Sequence, residues 1–156
     1  MVRRIAQAAG GAGKLGEREL SIELARSANR LTQLNPTSDT FQRASEVARN
    51  AQGDSTAYAV LLAALLRAKG VASRVAFGFR YQESPSPRMV YHAWTLAHVD
   101  GDWLPLDATT GGIAAADRLT VSTNSLSDSD IGEAMKPVLD FLGTYEIDIV
   151  ASATRY

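Results

Sequence analysis

The chain has 156 residues, enough for a single domain that buries a core without cross-links. A 46% hydrophobic and 21% charged composition is ordinary for a globular protein, and a net charge of −1 without runs of like charge argues against nucleic acid or an acidic membrane surface as partner. There is no cysteine, so disulfides and thiolate metal sites are excluded and the compartment is left open, while no apolar run reaches the roughly 18 residues of a membrane span.

Residues 1–16, rich in Gly and Ala, read as a flexible leader, and 17–156 as one domain, a fragment of a larger protein. Gly10-Gly11-Ala12-Gly13-Lys14 only superficially resembles a phosphate loop, because Ala8 and Leu15 stand where that pattern needs Gly and Ser or Thr. Leu20, Leu24, Ala28 and Leu31 recur at helical spacing, which predicts a helix from Glu17 to Leu34, ended by Asn35-Pro36. Thr37, Ser38 and Asp39 offer caps for a second helix through Arg49, with Phe41, Ala44 and Val47-Ala48 inward. A third helix, about 55 to 69, is apolar on every side until Arg67, and a helix apolar all round belongs at the centre.

After Gly70 the period changes. Val71–Tyr81 and Val90–Val99 read as strands, Ser84-Pro85-Ser86-Pro87 as a loop, Asp100-Gly101 as a hairpin turn and Asp102–Ala108 as the partner strand. Thr109–Leu126 reads mostly as loop. Asp128 or Ser129 caps a last helix to Leu142, kinked at Pro137 and carrying Ile131, Met135, Val138, Leu139 and Leu142, before a final strand from Tyr145 to Ala151.

The hairpin has a chemical consequence. If Asp100-Gly101 is a two-residue type I′ turn, Val99 faces Asp102, Trp94 faces Asp107 and His92 faces Thr109. Side chains alternate with period two, so His92, Trp94 and Asp107 share a face, with His92 and Asp107 diagonal neighbours in bonding reach. A one-residue slip would send Asp107 to the opposite side. A carboxylate on one imidazole nitrogen leaves the other free as a base. The N-terminus of a buried helix, with its free N–H groups and positive dipole end, suits a nucleophile and a developing oxyanion. Ser55 stands there, although serine in that position also serves as a plain helix cap. His92 and His98 lack a third ligand for a metal, and Trp94 and Trp103 read as core or cleft-wall aromatics.

Residues Gly53–Tyr81 and Tyr91–Thr110 resemble the transglutaminase-like superfamily, in particular its bacterial members similar to cysteine proteases. The resemblance is carried by GDSTAYAVLLAALLRAKGV, ASRVAFGFRY, YHAWTLAHVDGDW and LPLDATTGG, four blocks in the family's order. It implies an α+β, papain-like fold: a buried helix on an antiparallel sheet, with helices before it and a helix and strand after it. It also implies acyl transfer from an amide, with the family's catalytic Cys, His and Asp falling on Ser55, His92 and Asp107. Asp54, Thr56, Tyr91 and Trp94 are the expected substrate-cleft residues. No cofactor and no metal is implied. The expected partners are a peptide or protein substrate and neighbouring domains of the same polypeptide, with no nucleic acid and no membrane insertion.

Two departures stand out. The family usually reads Gly-Asp-Cys-Thr-Glu-His at the helix entry, whereas this chain has Ser55 for the thiol and Ala57-Tyr58 for Glu-His. A thiol can be held as thiolate by a helix N-terminus and an imidazolium, but a hydroxyl must lose its proton during attack. The expectation is an inactive or weakened acyl-transfer domain. The alternatives are an active serine-variant amidase or peptidase and a non-catalytic peptide-binding module.

Overall fold

The computed structural model describes residues 1–9, 15–37, 41–127, 131–147 and 149. In chain order the elements are α1 (Val2–Ala9), α2 (Glu17–Leu31), β1 (Gln33–Leu34), α3 (Ala44–Asn50), β2 (Gln52–Gly53), α4 (Ser55–Ala68), β3 (Ser73–Gln82), β4 (Arg88–Val99), β5 (Asp102–Asp107), β6 (Gly112–Ile113), β7 (Arg118–Asn124) and α5 (Ile131–Leu142). The main sheet is antiparallel with order β6-β5-β4-β3-β7, and β1 and β2 form a small parallel pair. This is the expected α+β architecture.

Helix α4 organises the core, as its sequence demands. Ten of its residues are buried. Leu61, Leu62, Leu65 and Leu66 join a cluster with Leu24, Ala28, Val47 and the strand residues Ala97, Leu104 and Leu106. Ala59, Val60 and Ala63 join a second cluster with Val75, Phe77, Phe79, Ala134, Met135 and Val138. Each fully buried leucine contributes about 1.5–3 kcal/mol relative to exposure. The helix is therefore fixed on both sides, and so is the position of its first residue.

The hairpin between β4 and β5 has the expected register. Asp100 and Gly101 both have positive φ, 53° and 90°, as a type I′ turn requires. Pairs then run from Val99 with Asp102 to Thr95 with Leu106. Thr95 donates to the Ala59 carbonyl of α4, so alternation turns Trp94 and His92 to the other face of the sheet. There Trp94 packs with Ala76, Leu96 and Ala114.

Several expectations need correction. Residues 2–9 are helix rather than leader, because Ile5 and Ala6 pack on the core, Ala6 being 1% exposed; residues 10–14 lie outside the described residues. The first long helix stops at Leu31, and Gln33–Leu34 pair with Gln52–Gly53 instead. The second starts only at Ala44, where Glu46 reaches back to the Arg43 N–H at 2.7 Å. Thr37 bonds Asn35 rather than a helix, Ser38 and Asp39 lie outside the described residues, and Phe41 is exposed.

Within the expected loop after Thr109, Gly112–Ile113 and Arg118–Asn124 are strands. β7 is an edge strand with mostly exposed or half-exposed side chains, so it shows little apolar alternation for a sequence reading to find. Pro137 lies inside helix α5, Leu139 and Leu142 are exposed, and Asp128 and Ser129 lie outside the described residues. The described part of the expected last strand is not a strand. The Tyr145 N–H is taken by the Phe141 carbonyl at 2.9 Å, continuing the helical turn.

The segment from Ala114 to Asp117 joins β6 at one edge of the sheet to β7 at the other, so it straps the outer face. The strand it delivers presses on Gly78, where a Cβ would stand 2.0 Å from the Leu119 carbonyl oxygen. Gly78 pairs with His92 across the ladder. Gly78→Ala is expected to lower unfolding stability by about 1–3 kcal/mol in urea titrations, through displacement of β7. An unchanged midpoint would contradict this close approach.

Candidate active site

Ser55 is the first residue of α4, but it does not cap the helix. That role belongs to Asp54, whose Oδ1 accepts the Ala57 N–H at 3.0 Å. The N–H groups of Ser55 and Thr56 carry no hydrogen bond among the described residues and are the open donors of the first turn. The Ser55 hydroxyl oxygen accepts the Ala93 N–H at 3.2 Å. Ala93 lies just past the end of β5, where β4 has outrun its partner, so the start of α4 fills the gap at the sheet edge. Standard backbone lengths then put the hydroxyl within about 6 Å of the His92 Cα.

His92 Nε2 is 2.8 Å from Asp107 Oδ2, and the two side chains are 7% and 0% exposed. The expected diagonal contact across the hairpin is present. Nδ1 of His92 makes no hydrogen bond among the described residues and is the nitrogen open to a proton. No hydrogen bond joins it to Ser55.

Asp107 is saturated. Its Oδ1 accepts the Thr109 N–H at 2.9 Å and the Thr109 hydroxyl at 2.7 Å, and Arg118 Nη2 donates to Oδ2 beside His92. Burial alone would raise the Asp107 pKa. The bonds from His92, Thr109 and Arg118 outweigh it and hold the carboxyl well below the ordinary range.

The remaining expected residues hold the frame. Thr56 and Tyr91 share a hydroxyl–hydroxyl bond of 2.9 Å, and the Tyr91 hydroxyl also contacts Met135 Sδ at 3.6 Å, tying α4, β4 and α5 together. Burial pushes the Tyr91 hydroxyl up to about 12, with the Thr56 bond opposing and the Asp54 charge adding to the rise. Trp94 is buried, its ring stacked near His92 at 6.5 Å between centroids, with the Arg118 guanidinium 5.9 Å from its own centroid. Arg118 is the residue that sequence reasoning missed. It falls in a stretch that reads as loop, and only the strap brings it to Asp107. Thr109 had a signal in the LPLDATTGG block of the resemblance. Among the described residues no group of three or more His, Asp or Glu side chains is arranged to hold a metal ion.

A buried helix whose first residue meets a histidine strand, with an acid from the next strand behind the imidazole, defines the papain-like arrangement of cysteine proteases and transglutaminases. Residues 3–108, more than half of the chain, match the transglutaminase-like superfamily, and the chain belongs to that family. Among solved structures it is similar to a protein assigned as a cysteine protease from Cytophaga hutchinsonii, at 19% identity and TM-score 0.70, covering 85% of this chain and 43% of that one. It is similar to a TGase at 12% identity and TM-score 0.57, covering 69% and 30%. LapG of Legionella pneumophila is 13% identical with TM-score 0.57, covering 91% and 96%. At these identities the likeness is one of fold. The chain spans less than half the length of the first two. No curated protein sequence matches it.

Asp107 makes stability depend on pH. Its pKa is lower folded than unfolded, so its contribution is complete above about pH 4 and is lost as pH falls toward the folded value. Urea unfolding between pH 7 and pH 3 is expected to give a falling acid limb that Asp107→Asn flattens. Asp107→Ala is expected to cost about 3 kcal/mol at pH 7, because Arg118 loses its buried counter-ion and keeps only Asp117. Equal acid limbs in wild type and Asp107→Asn would contradict the assignment.

Proposed function

We propose that this domain keeps the amide-directed cleft of its family with the acyl-transfer chemistry weakened or silenced by serine at position 55. The observation that carries the reading is the buried His92–Asp107 pair, bonded at 2.8 Å and set beside a hydroxyl at the start of α4. In a turnover, the residue 55 nucleophile attacks a peptide or glutamine-type carbonyl. Nδ1 of His92 takes the nucleophile's proton and later delivers it to the leaving amine. Asp107 orients the ring through Nε2. The unbonded N–H groups of Ser55 and Thr56 stand where a developing oxyanion needs donors.

Serine performs the first step poorly in a site built around a thiol. A thiol near pKa 8.5 is brought toward thiolate by the helix N-terminus, whereas a hydroxyl is not and depends wholly on the base. The ligand that fits is a peptide or protein segment, bound with slow turnover or none. One observation favours an active serine amidase as second reading: Asp54 does the capping, so the Ser55 hydroxyl is not spent on the helix.

Ser55→Cys decides between them. The variant is expected to raise peptide-amide turnover at least about a hundredfold and to be alkylated at position 55, and His92→Ala in that background is expected to lower its turnover by about 10²–10⁴-fold. Wild type is expected to resist a fluorophosphonate serine-hydrolase probe. Labelling of wild type that vanishes in Ser55→Ala would overturn the weakened reading in favour of the serine amidase.

A further inference from the structure

We propose that Arg118 is a positioning residue for His92, acting through Asp107. It lies beyond the part of the chain that matches the family, at the start of β7, and is delivered by the strap over the sheet. Its side chain is 6% exposed, and both terminal nitrogens are bonded: Nη2 to Asp107 Oδ2, Nη1 to the Ala115 carbonyl at 2.8 Å and to Asp117 Oδ1, while the buried Nε has no partner among the described residues. Its guanidinium carbon lies over the ring of Trp94, the neighbour of the His92 ring, 5.9 Å from the centroid. A residue needed only to anchor the strap has enough partners in Ala115 and Asp117. Arg118 reaches further, to the oxygen that His92 uses.

Sharing that oxygen has an electrostatic consequence. Arg118 is always charged, so an imidazolium at position 92 would converge with a guanidinium on one carboxylate oxygen. The guanidinium therefore opposes an imidazolium that Asp107 alone would favour, and a hydroxyl nucleophile needs a ring free to accept its proton during attack. A resting thiolate–imidazolium pair needs the opposite. Arg118 thus matches the serine at position 55, and this inference rests on the reading of Ser55, His92 and Asp107 as the site.

The charged groups around the ring are few. Asp107 comes from β5. Arg118 and Asp117 come from the strap and β7. β3 contributes Gly78 opposite His92, and Arg80 opposite Arg118. α2 contributes the neutral Asn29 amide, bonded to the Ala108 and Thr109 carbonyls, and α4 begins with the Asp54 carboxylate, bonded to Ala57.

The test uses the chain's two histidines, labelled with ¹⁵N and followed by NMR as pH is varied, with exposed His98 as internal reference. In Arg118→Met the pH range over which the His92 ring nitrogens change shift is expected to move upward by about half a unit or more, while His98 does not move. Arg118→Lys, which keeps the charge, is expected to return His92 toward its wild-type range. Where the methionine variant does not fold, Arg118→Gln keeps an N–H donor for Asp107 and must give the same upward movement. A folded Met or Gln variant whose His92 titrates as in wild type, with only stability lowered, would overturn the proposal and leave Arg118 as a strap anchor. The shifts are read without turnover, so a Ser55 that never attacks an amide leaves this result standing.

Discussion

One carboxylate governs this molecule. Asp107 has no solvent contact, and an ionised group with no water must have its lone pairs filled by protein donors. Each donor comes from a different part of the chain: His92 from the long strand, Thr109 from the turn that follows, Arg118 from the strap. Satisfying the carboxylate therefore fixes the hairpin register, the turn after β5 and the path of residues 114–118 together. A slip of one residue between β4 and β5 would turn Asp107 to the α4 side, away from His92 and Arg118. The type I′ turn at Asp100-Gly101 guards against that slip.

The second constraint is the buried helix. Leucines on one side and Ala59, Val60 and Ala63 on the other hold α4 between two clusters, so its first turn is presented at the sheet edge with little freedom. The departures from the family's helix entry are absorbed into this packing. Tyr58 is buried, and its hydroxyl donates to the Thr32 carbonyl at the end of α2; Ala57 is buried in the same cluster and gives its N–H to Asp54. Positions that usually carry Glu and His have become part of the scaffold. Position 55 keeps a polar group facing His92's strand, and Arg118 adds a positive charge to the acid behind the ring. These features fit together physically: a guanidinium that opposes an imidazolium, and a hydroxyl at position 55 that does not form one at rest.

Legibility in the sequence followed the strength of local signals. The all-apolar run from Ala59 to Leu66 could only be a central helix, and Asp100-Gly101 between β-rich segments gave a register that carried His92 to Asp107. The strand β7 was hidden because an edge strand with half its side chains in water shows no clean alternation. Helix α1 was hidden by its small residues, which read as flexible until the core they cover is known. Arg118 was out of reach for a different reason. Its partner sits eleven residues earlier by hydrogen-bond separation and on the far side of the sheet order, and nothing in the spacing announces a strap. Asp54 as cap in place of Ser55 turns on a single residue at a helix boundary, the least determined feature of a sequence reading.

The most direct measurement of the central claim is a proton spectrum of histidine-labelled protein near neutral pH. One ¹⁵N-coupled imidazole proton is expected far downfield and slow to exchange, assigned to Nε2–H of His92 and absent in Asp107→Ala. A His92 that carries its proton on Nδ1, or whose ring proton exchanges as freely as that of His98, would mean that the buried carboxylate does not hold the imidazole.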